Sequence, residues 1–227
     1  LNFSNSRIYS MEKKLTQKPI NLVKVVLFGP ESTGKTTLSK QLSRYYDTVW
    51  APEFAREYLQ NKWNNERKTC EQEDLIPIAI GQMKLENKLA KKADKVLICD
   101  TDLLETKVYS EEYYGGFVDP KLDEAAIKNE YDIYFLTYID TPWEEDDLRD
   151  RPEQRLEMFT AFENTLKKYN RPYILLKGDK ETRLKKATEI IDKLISEKDN
   201  LYSFSDSLID LDMHFLHQNL DTNDYSL

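Results

Sequence analysis

Eight consecutive residues, Gly29-Pro30-Glu31-Ser32-Thr33-Gly34-Lys35-Thr36, have the make-up of a cradle for a polyanion. The two glycines let the chain bend sharply and bring backbone N–H groups against phosphate oxygens with no Cβ in the way. Lys35 supplies a point charge for the β- and γ-phosphates, and the Thr36 hydroxyl is left to coordinate Mg²⁺. The spacing G-x-x-x-x-G-K-T is that of a P-loop. Such a loop must lie between a strand and a helix whose positive dipole end faces the same anion. The apolar run Leu22–Phe28 precedes it. Leu38, Leu42 and Tyr45 follow at i, i+4, i+7, the face of an amphipathic helix. Strand, loop and helix in that order predict a bound nucleoside triphosphate.

Carboxylates with a partner chemistry come next. Glu53 falls just past a short second strand, Thr48–Pro52, where open parallel sheets place ligand-binding residues. A carboxylate there can orient an attacking hydroxyl and accept its proton. Arg56, one turn on, can neutralise the moving phosphoryl or hold the acceptor, or simply pair with Glu53 on a helix surface. Asp100 ends the apolar run Lys95–Cys99, roughly 65 residues after Lys35, which is the Walker B placement for a Mg²⁺-binding acid. Asp102 offers a second acid, able to reach metal or a substrate hydroxyl or to cap the helix starting near Leu103.

Arg149, Arg151 and Arg155 lie within seven residues after a polar break. They read as a lid whose guanidinium groups close over a triphosphate, or as the charged start of a surface helix. Tyr113 and Tyr114, beside a glycine break, either stack on a flat ring or pack. The turn Lys177-Gly178-Asp179 follows the last strand, where a purine would approach and Gly178 would admit it.

The remaining chain alternates strand and helix. Strands are expected at Tyr131–Asp140 and Arg171–Leu176. A helix is expected from a Thr69/Gln72 capping box towards Ala93, with Pro77 marking a kink or a late start. Others are expected at Leu103–Ser110, Pro120–Glu130, Glu153–Tyr169 (Leu156, Phe159, Phe162 and Leu166 inward) and Glu181–Glu197. Asn61–Lys68 reads as a loop. Three segments emerge: 1–20 as a disordered leader with a start-like Met11, 21–197 as the folded domain, and 198–227 as an extension. The extension carries an acidic amphipathic helix over Phe204–Leu220, capped by Ser205, which could mediate self-association.

The chain has 227 residues, 33% of them charged, and a formal net charge of −8. A diffuse acidic surface argues against duplex nucleic acid as the main partner. Two cysteines, Cys70 and Cys99, make neither a disulfide framework nor a zinc set, so a reducing, cytoplasmic setting is expected. No stretch is apolar for long enough to span a bilayer.

Taken together, Gly29–Leu38, Glu53–Leu59, Asp100–Leu104, Glu111–Gly115 and Asp140–Asp150 resemble the ribosylnicotinamide kinase domain of NadR-type proteins, over roughly Leu22–Ser196. The resemblance implies a P-loop NTPase fold of the nucleoside-kinase-like kind, three layers α/β/α around five parallel strands, with an arginine lid. It implies ATP- and Mg²⁺-dependent phosphorylation of the 5′-hydroxyl of nicotinamide riboside. Gly34, Lys35, Thr36 and Thr37 would hold phosphates and Mg²⁺, and Asp100 would be the Walker B acid. Glu53 would activate the ribose hydroxyl, with Asp102 its competitor, and Arg149, Arg151 and Arg155 would form the lid. Trp143 and Tyr113 or Tyr114 would flank the cationic ring. Longer members carry a nucleotidyltransferase domain, and some a helix-turn-helix, ahead of the kinase. Only a short leader precedes the P-loop strand here, so those activities are not expected. The rival expectations are a deoxynucleoside or nucleoside-monophosphate kinase, and a nucleotide-dependent regulatory ATPase.

Overall fold

The computed structural model describes residues 13–220, with side chains as far as Leu201. Five strands, β1 Val23–Phe28, β2 Trp50–Ala51, β3 Val96–Cys99, β4 Ile133–Thr137 and β5 Tyr173–Leu176, form one sheet in the order β2-β3-β1-β4-β5. Every pairing is parallel. The intervening helices are α1 Lys35–Tyr45, α2 Phe54–Glu66, α3 Leu75–Ala90, α4 Leu103–Tyr113, α5 Pro120–Lys128, α6 Arg155–Lys168 and α7 Lys180–Leu220.

The central strands are apolar at nearly every position because helices cover both faces of the sheet. Val26 and Phe28 of β1 point to one face and join Leu97, Tyr134, Met83, Leu104 and Phe162 in a cluster under α3, α4 and α6. Val25 and Leu27 point to the other face and meet Leu38, Leu42, Ala187 and Ile191 of α1 and α7. Phe28 sits edge-on to both Tyr134 and Phe162, with ring centroids at 5.4 and 4.9 Å. This packing brings the carboxyl end of β1, where the P-loop begins, between those of β3 and β4.

The three-layer α/β/α arrangement and all five strands match the sequence reading. Four local expectations need correction. Asn61–Glu66 is the last part of α2, not a loop; this helix buries no residue, and Lys62 anchors its end by pairing with Glu71 at 2.7 Å and with Asp74. The start of α3 is set by a Glu71/Asp74 capping box on a short 3₁₀ turn, Gln72–Asp74, instead of by Thr69/Gln72. Pro77 therefore lies in the first turn of α3, where a missing N–H costs nothing. Leu156 is 62% exposed because α6 turns its first residues to solvent before Phe159 and Phe162 enter the core.

The expected leader is part of the fold over 13–20. Leu15 is buried, and Gln17 bridges the Glu86 carboxylate and the Glu130 N–H at 2.9 and 3.0 Å. Apolar burial of one leucine plus two long-range hydrogen bonds overrides the polar composition that suggested disorder. Helix α7 runs unbroken to Leu220, so no second helix start occurs at Ser205. The amphipathic face read over Phe204–Leu220 lies outside the described side chains, as residues 1–12 and 221–227 lie outside the described chain. No described helix is long and apolar enough to cross a membrane.

Candidate active site

The octet forms the turn from β1 into α1. Gly29 has φ 137°, and a Cβ there would stand 2.9 Å from Thr137 Oγ1 and 3.0 Å from Thr137 O, so only glycine fits against β4. Gly34 has φ 84° and caps α1. Buried Thr33 locks the loop, its hydroxyl donating to Pro30 O at 2.8 Å and bonding Thr137 Oγ1 at 2.7 Å. Ser32 is left-handed at φ 56° and ties the loop to the segment after β4. Its carbonyl accepts from Thr141 Oγ1 and Arg155 Nη2, and its Oγ accepts from Glu144 N.

Lys35 folds back over the loop and donates to Gly29 O and Pro30 O, 3.2 Å from Glu105 Oε1. Burial alone would lower its pKa, but the charges of Glu105, Glu53 and Asp100 outweigh this and hold it above the ordinary lysine value. Thr36 and Thr37, at the start of α1, are exposed. Asp100 ends β3 beside Thr36 and accepts from Ser39 Oγ at 3.2 Å. Burial, with Glu53's charge adding, pushes its carboxyl up to about 7. A carboxylate and a hydroxyl side by side at the phosphate end suit a hard, oxygen-loving cation such as Mg²⁺. Among the described residues no cluster of three metal-ligating side chains exists, so these two would be its protein ligands and phosphate and water oxygens the others.

Next to the loop lies a cavity of about 140 Å³ between α2, α3 and α4. It is lined by Glu31 from the P-loop, Glu53 from the start of α2, Glu105, and the rings of Tyr109, Tyr113 and Tyr114. Burial raises Glu31 to about 7 and Glu105 well above the carboxylate range. The backbone on each side of Glu53 is gripped by one buried amide: Gln82 accepts from Phe54 N at 2.8 Å and donates to Pro52 O at 3.3 Å. A second, smaller space shares Glu31, Tyr109 and Tyr113 and adds Pro30, Trp143, Arg151 and Arg155. A larger open groove, about 810 Å³, lies at the opposite end of the sheet around Lys24, Tyr131 and Lys198, away from the P-loop.

The structure thus gathers Glu53, Tyr113 and Tyr114 at the cavity, with Trp143 next door. Asp102 goes elsewhere. It is fully buried, its Oδ1 caps α4 by accepting from Glu105 N at 2.9 Å, and its Oδ2 accepts from Tyr134 OH at 2.8 Å. The capping alternative is the one realised. Arg56 does not line the cavity or pair with Glu53; its guanidinium forks onto Asp146. Arg149 shares that carboxylate, its Nε 3.1 Å away, and Arg151 stacks 3.6 Å over the Tyr113 ring. Arg155 donates to Thr141 O at 2.9 Å and keeps a buried Nε without a hydrogen-bond partner. Gly178 turns at φ 92°, and the Asp179 carboxylate caps α7 by accepting from Thr182 N at 2.8 Å.

Three contributors escape the sequence reading: Glu105, Gln82 and Arg183. Buried Arg183 of α7 donates to Thr33 O, Gly178 O and Tyr138 O and pairs with Asp140, pinning the P-loop to the turn after β5. Asp102-x-x-Glu105 does carry a signal, the spacing of a capping box, but that motif points to a helix start and hides the cavity role.

Residues 24–183 match a family profile described as an AAA domain. The chain belongs to the AAA domain family. Two similar proteins are the trifunctional NAD biosynthesis/regulator proteins NadR of Salmonella typhimurium and Escherichia coli, each 27% identical over 187 residues. Those alignments cover 80% of this AAA-domain chain and 45% of either relative, so it spans less than half their length. A crystal structure of NadR in complex with NR superposes on 70% of the AAA-domain chain and 46% of its own at a TM-score of 0.58 and 19% identity. A deoxyadenosine kinase from M. mycoides with bound dCTP covers 75% of this chain and 100% of its own, at 0.51 and 16%. At such identities the solved structures speak for the fold. With the curated relatives they bear out the resemblance to NadR-type proteins drawn from the five motifs.

Proposed function

We propose that this chain transfers the γ-phosphoryl group of ATP to the 5′-hydroxyl of nicotinamide riboside, giving nicotinamide mononucleotide, a salvage step towards NAD. The observation that carries this reading is the cavity beside the P-loop: tyrosine rings and carboxylates without a single lysine or arginine in its lining. Such a wall suits a flat, positively charged ring. The curated NadR relatives and, separately, a NadR solved in complex with NR support the same acceptor.

In this scheme the loop amides and Lys35 hold the triphosphate, and Thr36 and Asp100 would hold Mg²⁺, which would supply charge neutralisation at the phosphates. Glu53 orients the ribose hydroxyl and takes its proton as the new O–P bond forms and the β,γ-bridge breaks. Gln82 fixes the backbone from which Glu53 projects. Tyr113 and Tyr114 flank the pyridinium, with Trp143 at the rim. Arg155, at the edge of the loop with a spare N–H, leads the arginine lid; Arg149 and Arg151 leave Asp146 and Tyr113 to join it as water is expelled.

A nucleobase acceptor is disfavoured, because reading a base edge needs free amide or guanidinium donors. The one amide in the cavity wall, Gln82, is spent on Pro52 and Phe54. The test is ATP consumption with Mg²⁺ across nicotinamide riboside, uridine, thymidine, thymidine monophosphate and no acceptor. Turnover confined to nicotinamide riboside and lost in Lys35→Ala is expected. Turnover of a nucleobase substrate would move the chain to the deoxynucleoside or nucleoside-monophosphate kinases, and acceptor-independent hydrolysis would make it a regulatory ATPase.

A further inference from the structure

Glu105 is the side chain the phosphoryl-transfer scheme leaves without work. It lies in the first turn of α4, is 2% exposed, and neither of its carboxylate oxygens accepts a hydrogen bond. Its nearest cation is Lys35 Nζ, 3.2 Å from Oε1. That cation is committed to phosphate once a triphosphate is held. Native folds pair or hydrogen-bond their buried carboxyl groups, since an unpaired one is costly to keep. Helix capping does not account for this one. The cap of α4 is Asp102, which accepts from the backbone N–H of Glu105 and leaves its side chain unused. The carboxyl instead lines the acceptor cavity, whose wall contains four carboxylates and no basic residue.

We propose that Glu105 is the charge-selecting residue of the acceptor site, favouring a cationic ring over a neutral ring of the same shape. The inference rests on the pyridinium-nucleoside reading above and adds to it. Aromatic flanks hold either ring by stacking; a buried carboxylate distinguishes them. Burial pushes the Glu105 carboxyl towards its neutral form. A pyridinium entering the cavity supplies the counter-charge that Lys35 gives up and favours the ionised form, in a water-poor space where opposite charges attract strongly. A neutral ring leaves the carboxylate unpaired. Selectivity is then a difference between two occupants, built as much from the penalty on the wrong one as from the gain on the right one.

Nicotinamide riboside and its dihydro form differ by one hydride and by the ring's positive charge, so they isolate this term. Their kcat/KM values are measured with Mg-ATP for the wild type, Glu105→Gln, Glu105→Asp and Glu53→Gln. The wild type is expected to prefer the oxidised form by about tenfold or more. Glu105→Gln should cut that preference at least fivefold, Glu105→Asp should retain most of it, and Glu53→Gln should slow both forms while keeping their ratio. Equal kcat/KM values for the two forms in the wild type would overturn the inference without any variant, even if Glu105→Gln failed to fold. A preference unchanged in Glu105→Gln would overturn it too, leaving the kinase reading intact. If the wild type phosphorylated neither form, the acceptor reading itself would fall and the inference with it.

Discussion

Glu53 and Asp102 are both acids within reach of the P-loop in sequence terms, and substituting each separates a proton acceptor from a structural cap. Asp102→Ala removes the oxygen that caps α4 and strands the Tyr134 hydroxyl in the core. Loss of an N-cap costs about 1 kcal/mol. Leaving one buried hydroxyl unsatisfied adds about 1–3 kcal/mol. The sum, about 2–4 kcal/mol, is partly offset because the buried charge of Asp102 also disappears. For a chain of this size each kcal/mol moves Tm by about 2–4 °C, so the full sum would correspond to about 4–16 °C and a fall in the lower half of that range is expected. Asp102→Asn keeps the cap oxygen and the shape, and should lose only a few degrees and less than tenfold in kcat. Glu53→Gln should melt like the wild type, since its carboxylate makes no cap hydrogen bond, and lose about 10²–10⁴-fold in kcat. Thermal melts and steady-state kinetics on the three variants decide the matter. A folded Asp102→Asn with kcat down a hundredfold, beside an active Glu53→Gln, would refute the assignment.

The pH dependence of stability follows from the raised carboxyls. Asp102 is held near 6 and Glu31 near 7, chiefly by burial, while both titrate near 4 in the unfolded chain. Their contribution is fully present below about pH 4 and is lost as pH rises through 6 to 7, so Tm of the nucleotide-free protein should fall between pH 5 and 8. Glu31→Gln should flatten that slope in a differential scanning measurement. Gly81→Ala would place a Cβ 2.1 Å from the Phe54 ring, which follows Glu53 directly, so a loss of about 1–3 kcal/mol in denaturant melts is expected. Thr36→Ala should shift the Mg²⁺ dependence of turnover to higher concentration with little change in Tm, read from a magnesium titration at fixed ATP. Gln82→Leu frees Pro52 O and Phe54 N, and should lower kcat more than it raises KM for the acceptor.

The sheet was legible because it is a set of short local signals. Apolar runs of four to eight residues ended by turns mark buried parallel strands, and the P-loop pins one of them absolutely. Asp100 and Glu53 were legible for the same reason: both sit at strand ends, where topology fixes what a residue faces. Positions reached by helix rotation were not. Whether Asp102 or Glu105, one turn apart, faces the cavity depends on how α4 seats against Tyr134, a contact 32 residues away that no local pattern reports. Gln82 and Arg183 act on backbone 30 and 150 residues distant, through bonds to Pro52 O and Thr33 O. Leu15 entered the core from a polar stretch because a single buried side chain leaves no periodicity. Arg56 found Asp146, 90 residues on, although Glu53 stood nearer in sequence.

Helix α7 is tied to the chain just beyond each end of β1. Near its start, Arg183 grips the carbonyl of Thr33 in the P-loop; four turns on, Lys198 donates to Leu22 O and Asp132 at the strand's other end. One stiff rod is therefore riveted across the full length of the central strand, and it continues past the second rivet to Leu220. A load applied at Lys198 has one continuous helix as its path to the triphosphate cradle.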